Sequence, residues 1–220
     1  MVAVDRYDDP HWRISRFRKR RFYNVRKLID SVLAEKGSCR ILDFGGTTSY
    51  WTIAADYISS KPIEIDLLNL NPEGTAGGPF RYIRGDACDV SEIETGSYDI
   101  AHSNSVIEHV GTWDRMSGMA SEIRRVGQRY FVQTPNFWFP FEPHFQLPFF
   151  HWLPEQVRIH ILLSRDCGYE PKAVDYNSAV RRIEYCRLLS GRQLQVLFPE
   201  GEIARERYFG LTKSLMAIRD

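Results

Sequence analysis

Short apolar runs alternate with amphipathic stretches along this sequence, and the first such run leads directly into a glycine turn. The segment Arg40-Ile-Leu-Asp-Phe-Gly-Gly-Thr-Thr-Ser49 predicts a strand and a tight turn. Residues 50–59 predict the helix that follows. Strand, turn and helix in this order form the repeating unit of a parallel sheet with helices on both faces. The chain is therefore expected to be an α/β protein.

The rest of the chain continues this alternation, with one interruption. Strands are predicted at 63–70, 80–85, 98–103, 129–134, 202–208 and 212–218. Helices are predicted at 113–126, 155–164 and 177–197, and apolar residues at helical period predict one or two amphipathic helices over 9–35. Residues 135–154, rich in proline and aromatic side chains, interrupt the rhythm.

Composition narrows the class of protein. A chain of 220 residues fits one large domain. Its net charge of +1, from 29 basic and 28 acidic residues, gives no field that would attract nucleic acid. The N-terminus lacks the apolar stretch of a signal peptide, and no apolar run reaches membrane-spanning length. We therefore expect a soluble, cytoplasmic protein.

The four cysteines, Cys39, Cys88, Cys167 and Cys186, are widely spaced and have no histidine at zinc-finger spacing. Neither a disulfide framework nor a metal site is predicted from such a pattern. We expect reduced thiols and no bound metal.

The glycine turn predicts a site for a small polar ligand. Ligands of open α/β sheets collect at the carboxyl ends of the strands, where Asp43, Gly45 and Gly46 would lie. The turn lacks the Gly-x-Gly-x-x-Gly spacing of a dinucleotide site, and Asp43 would repel phosphate. A carboxylate there suits a cation, such as the ammonium group of an amino acid. For this motif alone, a strand that merely needs a tight turn is the alternative.

Polar residues also end the next three predicted strands. Asn69 stands where a group that binds ribose is expected, and Asp86 can accept from an exocyclic amine. Ser103 and Asn104 end the fourth strand. Each signal alone is ordinary turn chemistry, but four in this order predict one ligand site at the carboxyl edge of the sheet.

At these residues the chain resembles the class I S-adenosylmethionine-dependent methyltransferases. The family's pattern reads Asp-x-Gly-x-Gly, Asp-x-Asn-Pro, Gly-Asp-Ala, a Ser-Val-x-Glu-His-Val run and Thr-Pro-Asn, and the chain follows it except at Thr47 and Asn69. The segment from Pro135 to His144 is similar to bacterial members of methyltransferase type 11. The resemblance implies a Rossmann-like, seven-stranded, mostly parallel sheet with helices on both faces and an antiparallel C-terminal hairpin.

The resemblance also implies a methyl donor, S-adenosylmethionine, and the residues that hold it. Its methionine part would meet Asp43, Gly45, Gly46 and Thr47, its ribose Asn69 with Leu70, its adenine Asp86 and Ala87, and its sulfonium Ser103 and Asn104. Thr47 replaces a usual glycine and Asn69 a usual acidic residue, which predicts weaker donor binding. The implied single domain comprises an N-terminal helical cover (1–37), the donor-binding core (38–134), an aromatic and helical insertion over the acceptor (135–190), and a closing helix and hairpin (191–220).

The sequence says less about the residues that would bind the methyl acceptor. His109 and His144, with Glu142 behind them, are the candidate general bases for a hydroxyl acceptor, although either histidine can equally be structural. The aromatics of 135–154 are expected to wall a pocket for a small molecule, a sugar or glycan precursor, or a lipid-linked acceptor. Alternatively they cover the sheet edge or form a homodimer contact.

Other partners and functions stay open. A basic run on the first helix predicts weak contact with a membrane surface, or simply a solvated face; it comprises Arg13, Arg16, Arg18, Lys19, Arg20 and Arg21, interleaved with Trp12, Phe17 and Phe22. Nucleic acid is not expected as a partner. The rival functions are a nicotinamide-dependent oxidoreductase and a non-catalytic binding protein on the same fold.

Overall fold

The computed structural model describes residues 13–72 and 77–220, and the side chains from residue 17 onward. The helices are α1 (Arg13–Lys36), α2 (Thr48–Trp51), α3 (Ala55–Ser59), α4 (Trp113–Val126), α5 (Glu155–Ser164), α6 (Tyr176–Glu184) and α7 (Gly191–Leu197). The strands are β1 (Cys39–Phe44), β2 (Ile63–Asn69), β3 (Phe80–Arg84), β4 (Tyr98–Asn104), β5 (Gly127–Pro135), β6 (Phe141–Glu142), β7 (Leu147–Pro148), β8 (Glu202–Tyr208) and β9 (Leu211–Arg219).

Seven of these strands form one sheet, in the order β3-β2-β1-β4-β5-β9-β8. β1 pairs in parallel with β2 and β4, and β2 pairs in parallel with β3. β8 and β9 form an antiparallel hairpin. The predicted mostly parallel sheet with a C-terminal hairpin is confirmed. β1 and β2 are buried along nearly their whole length because parallel strands inside such a sheet are covered on both faces.

The chain divides into two compact units. The first comprises Met1–Ser103, Glu122–Phe131 and Arg219–Asp220, and the second comprises Asn104–Ser121 and Val132–Ile218. In the first unit, one face of α1 buries Val25, Ile29 and Val32 completely. Lys36 at the end of this helix donates to Asp99, which also accepts from the backbone amide of Arg40 at the start of β1.

The second unit has a core of its own beyond the sheet. That core contains Phe145, Phe150, Ile159, Leu162, Cys167, Ala173, Ala179 and Ile183. Asn136, directly after β5, donates from its backbone amide to Lys213 O at 3.0 Å and from Nδ2 to Thr212 O at 2.8 Å. The next amide, Phe137 N, donates to Leu189 O at 2.9 Å. The aromatic segment therefore starts from a position anchored on two sides.

The helices differ from the sequence prediction in two places. The predicted helix at 50–59 is divided into α2 and α3 by a 3-10 turn at Thr52–Ala54. The single helix predicted at 177–197 is wrong, since α6 and α7 are separate. Residues between them pair elsewhere: Arg187 N donates to Glu108 O, and Ser190 caps α7 by accepting from Gln193 N. These contacts end one helix and begin another, although apolar residues keep a helical period across the break.

The predicted irregular stretch at 135–154 contains the small antiparallel hairpin of β6 and β7 and a 3-10 turn at Phe150–Trp152. Of the basic run, Lys19 and Arg20 are exposed but Arg21 is buried, so this run is not a uniformly solvated face. Trp12, and the side chains of Arg13 and Arg16, lie outside the described residues. Within the described ranges, none of the helices combines the length and apolar character that crossing a bilayer requires.

Candidate functional site

Nine of the predicted ligand-binding residues share the carboxyl edge of the strands in the first unit. We call this group the strand-end site; it comprises Asp43, Gly45, Gly46, Thr47, Asn69, Leu70, Asp86, Ala87 and Ser103. Parallel pairing sets Asp43 opposite Leu67 and His102. Gly85 N, next to Asp86, donates to Asn69 O at 3.0 Å, and Gly45 N donates to Leu68 O at 2.8 Å. Asn104, the tenth predicted residue, ends β4 as the first residue of the second unit.

The glycines of the turn are required by its backbone and its space. Gly45 has a φ of +70°, in the left-handed region that favours glycine. A Cβ on Gly46 would overlap the carboxylate of Asp43. Thr47, which follows, is exposed, and its hydroxyl lies 2.8 Å from that of Ser49. The turn therefore presents backbone and hydroxyl groups rather than bulky side chains, as a close-fitting polar ligand needs.

Asp43 is held by two side chains that the sequence analysis gave no role. Its Oδ2 accepts a hydrogen bond from Trp51 Nε1 at 2.8 Å, and its Oδ1 lies 2.7 Å from His102 Nδ1. All three side chains are buried, and the His102 ring stacks on Phe131. The register of β1 against β4 brings Asp43 and His102 together. This register is set by the tertiary structure and not by a local sequence pattern. The carboxylate thus lies beneath the turn as a fixed acceptor.

Asn69 and Asp86 also make local hydrogen bonds at the strand ends. Asn69 Oδ1 accepts from Asn71 N at 3.4 Å, and Asp86 Oδ1 accepts from Cys88 N at 2.9 Å. These contacts are the turn chemistry expected of Asn and Asp. Both side chains are half-buried, whereas the neighbouring Leu70 is 58% exposed. The site therefore has an apolar side chain beside its polar strand ends.

In the second unit, the two candidate bases meet a cysteine. The rings of His109 and His144 are edge to face with centroids 4.7 Å apart. Cys186 Sγ lies 3.1 Å from His144 Nδ1 and 3.9 Å from its Nε2. We call His109, His144 and Cys186 the His-Cys cluster. Its members are 35 or more positions apart in sequence, so spacing rules could not connect them.

Two buried carboxylates adjoin this cluster. Glu142 accepts from Phe145 N, and its Oε1 lies 2.7 Å from His144 Nδ1. Glu108 Oε2 accepts from Thr134 Oγ1 at 2.9 Å, while its Oε1 is buried without a partner among the described residues. The sequence analysis had already named Glu142 as a supporting group for the two histidines. Glu108 was not, although it precedes His109 directly.

The two imidazoles differ in basicity. Burial lowers the pKa of His109, and the nearby charge of Glu108 offsets this only in part. Burial also lowers the pKa of His144, but the hydrogen bond and the charge of Glu142 together outweigh it, so this pKa is raised. Burial raises the pKa of the Cys186 thiol well above its ordinary value.

A cavity of about 480 Å³ adjoins these groups within the second unit. Aromatic side chains form much of its wall, and Glu142, Cys186, His151 and Arg158 also line it. His151 Nε2 donates to Phe137 O at 2.7 Å, which orients the ring. Burial lowers the pKa of Arg158, and its Nε has no partner in the described part of the chain. This aromatic cavity has the size and mixed lining of a small-molecule site.

Comparisons with known proteins bear on the fold. Two solved structures that resemble the chain are a possible exported protein from Bordetella parapertussis, with a TM-score of 0.55 and 14% identity, and the trans-methyltransferase CalH in complex with SAH, with a TM-score of 0.55 and 15% identity. The likeness covers 92% of this chain and 68% of the first, and 93% of this chain and 58% of the second. The chain has the fold of the S-adenosylmethionine-dependent methyltransferases.

Sequence comparison adds less. No family model matches. Two uncharacterized proteins of Mycobacterium tuberculosis, MT1557 and Rv1509, are each 31% identical over 99 residues. That match covers 39% of this chain and 33% of each relative, so the chain spans about a third of their length.

Proposed function

We propose that this chain transfers a methyl group from S-adenosylmethionine to a small molecule, a sugar or glycan precursor, or a lipid-linked acceptor. The observation that carries the proposal is the strand-end site: a glycine turn and three further polar strand ends on one sheet edge of a methyltransferase fold. Fold alone does not establish activity, so the argument rests on the chemistry of these residues.

The residues of the strand-end site suit the donor. Gly45 adopts a left-handed φ and neither Gly45 nor Gly46 carries a side chain, so the backbone of the turn can approach a ligand closely. The Asp43 carboxylate beneath the turn favours a cationic ligand over a phosphate. We assign Gly45, Gly46 and Thr47 to the methionine part, with Asp43 acting through its charge.

The remaining strand ends supply the other donor contacts. Asn69 and Leu70 are assigned to the ribose, Asp86 and Ala87 to the adenine, and Ser103 and Asn104 to the region of the sulfonium. An amide at position 69 can accept from one ribose hydroxyl and donate to the other.

The donor, when bound, supplies an electrophilic methyl carbon attached to a positively charged sulfur. The protein's part is to hold an acceptor in line with that carbon and to exclude water, and orientation of this kind lowers a barrier by up to about 7 to 11 kcal/mol. A hydroxyl acceptor must also lose a proton. We propose that His109 and His144 are the groups that handle this proton, with Glu142 orienting His144 through its 2.7 Å contact.

The aromatic cavity supports an acceptor with a ring, a sugar face or a lipid chain. Phe137, Trp138, Phe145 and Phe150 offer apolar faces for stacking. Arg158, whose buried Nε has no partner among the described residues, favours an anionic group on the same acceptor. Sugars and lipids carried on phosphate combine these two features.

Thermal unfolding with S-adenosylhomocysteine, and separately with NADH, tests the function. A ligand at 100 times its dissociation constant stabilises by about 2.7 kcal/mol, which raises Tm by roughly 5 to 11 °C for a chain of this size. We expect Tm to rise with S-adenosylhomocysteine and not with NADH. A shift with NADH alone would instead indicate an oxidoreductase, and no shift with either would indicate a non-catalytic protein.

Matched asparagine variants locate the site. Asn69→Ala should weaken S-adenosylhomocysteine binding by roughly 3- to 10-fold, the effect of losing one neutral hydrogen bond. Asn177→Ala, at an exposed position on α6, should leave the affinity unchanged. Equal affinity in both variants, measured by calorimetric titration, would show that the donor binds elsewhere.

A further inference from the structure

The His-Cys cluster has the composition of a metal site. Two imidazoles and one thiol each offer one ligand atom, and these atoms all lie within 4.8 Å of one another. Imidazole and thiolate are the ligands that zinc prefers in proteins, and three protein ligands with a fourth open position are typical of catalytic zinc. We propose that His109, His144 and Cys186 bind a zinc ion beside the aromatic cavity.

The separations between these atoms are close to those of a zinc site. A tetrahedral zinc with bonds of about 2.0 Å to nitrogen and 2.3 Å to sulfur places its ligand atoms roughly 3.5 Å apart. Cys186 Sγ is 3.9 Å from His144 Nε2. The widest pair of ligand atoms, within 4.8 Å, has to close by up to about 1.3 Å, a distance that side-chain rotations can cover.

The second nitrogen of each imidazole is already oriented by an acceptor. His109 Nδ1 lies 3.2 Å from Tyr185 O, and His144 Nδ1 lies 2.7 Å from a carboxylate oxygen of Glu142. With the proton on Nδ1, each Nε2 keeps a lone pair for a metal. Cys186 Sγ lies nearer Nδ1 than Nε2 of His144, so the ring or the thiol has to rotate for both to reach one ion. A carbonyl or carboxylate behind the ligating histidine is the usual support of a zinc site.

Buried negative charge provides an independent reason for a cation here. Glu108 is fully buried and Glu142 is 2% exposed, and both act electrostatically on all three side chains of the cluster. Glu108 Oε1 has no hydrogen-bond partner in the part of the chain that is described. Arg158 compensates part of the Glu142 charge, and burying the remaining negative charge is costly. A divalent cation offsets that cost.

A thiol nucleophile activated by His144 explains the cluster less well. Such a catalyst needs the thiol on one ring nitrogen and the carboxylate on the other. Here Cys186 Sγ and Glu142 Oε1 both approach Nδ1 of His144, at 3.1 and 2.7 Å. A zinc site does not need that relay, because thiolate and imidazole are each ligands in their own right.

The place of the cluster suggests the use of the metal, and this step rests on the proposed function. Cys186 and Glu142 both line the aromatic cavity, so a zinc held by the cluster would lie beside an acceptor bound there. A zinc ion held there would lower the pKa of a coordinated hydroxyl, as it does for coordinated water. With zinc bound, the histidines would act as its ligands in place of the proton-handling role proposed above, and the acceptor's proton would pass to solvent.

Metal content of the full chain, purified without a histidine tag, tests the site directly. After equilibration with Zn²⁺ and dialysis, wild type should hold one zinc per chain by mass spectrometry. Cys186→Ser should weaken zinc binding by more than 100-fold, and Glu142→Gln by roughly 10- to 100-fold. Cys88→Ser and His160→Asn, at positions outside the cluster, should retain one zinc.

Cobalt substitution keeps the test decisive where a variant fails to fold. Co²⁺ bound to wild type should show the intense near-ultraviolet band of a sulfur ligand and the visible bands of four-coordinate cobalt. Wild type that binds no zinc, or cobalt without the sulfur band, would overturn the proposal. Preferential retention of copper over zinc would refute the assignment of the metal. Because these measurements need no methyl donor, their failure is distinct from failure to bind S-adenosylhomocysteine.

Discussion

The hydrogen bond from Trp51 to Asp43 predicts a measurable coupling beneath the glycine turn. Both side chains are buried, and the indole Nε1 donates to the carboxylate at 2.8 Å. Trp51→Phe removes this donor while it keeps an aromatic ring. A hydrogen bond to a charged group contributes about 1.5 to 3 kcal/mol, and the smaller ring adds about 1 kcal/mol of lost burial. We expect the free energy of unfolding to fall by about 2.5 to 4 kcal/mol.

The same substitution should cost much less when Asp43 is absent. In an Asp43→Ala background the indole N–H has lost its acceptor, so Trp51→Phe removes only packing, worth about 1 kcal/mol. The difference between the two backgrounds, measured by urea unfolding of the four proteins, is the coupling energy of about 1.5 to 3 kcal/mol. It corresponds to a factor of roughly 10 to 150 in the unfolding equilibrium constant.

A second tryptophan gives the control. Trp152 donates from Nε1 to Phe137 O and shares no hydrogen-bond partner with Asp43. Trp152→Phe should therefore cost the same in both backgrounds, within about 0.5 kcal/mol. If Trp51→Phe also costs the same in both, Asp43 is not held by Trp51 and our account of the turn is refuted.

Three further predictions concern stability. Ser190→Ala removes the cap of α7 and should lower the urea-unfolding free energy by about 1 kcal/mol; an unchanged midpoint would contradict the capping role. Phe150→Ala should cost about 3 to 5 kcal/mol because the ring is 1% exposed, against about 1 kcal/mol or less for the exposed Phe149→Ala. Burial raises the pKa of Cys39 from 9.0 to about 12. The contribution of this thiol to the free energy of unfolding is therefore complete below pH 9 and is lost as pH rises towards 12. Between pH 8 and 11 the urea midpoint should fall more in wild type than in Cys39→Ala, and equal falls would refute this.

The fold could be predicted because its signals are local. The apolar runs of β1 and β2, and the glycine turn after Phe44, each report burial or backbone geometry over a few residues. The break between α6 and α7 could not be predicted in this way. The apolar period continues across it, and the competing contacts, such as Leu189 with Asn136, come from elsewhere in the chain.

The same distinction, between local sequence signals and contacts from distant parts of the chain, applies to the candidate sites. Asp43, Asn69 and Asp86 stand at strand ends, so parallel topology alone assigns them to one edge. Trp51, His102, Glu108 and Cys186 are functional candidates only through contacts that join separate elements. Cys186 seemed an ordinary reduced thiol because its neighbours in space, His109 and His144, are far from it in sequence.

The hydrogen bonds of Asn136 and Phe137 fix the point where β5 ends and the aromatic segment begins. The bonds of Asn136 to Thr212 and Lys213, and the bond of Phe137 to Leu189, are made largely by backbone groups. Substitutions in the aromatic segment beyond this point can therefore change the shape of the cavity without displacing β5. Related chains can therefore vary the lining of the aromatic cavity while the residues of the strand-end site stay the same.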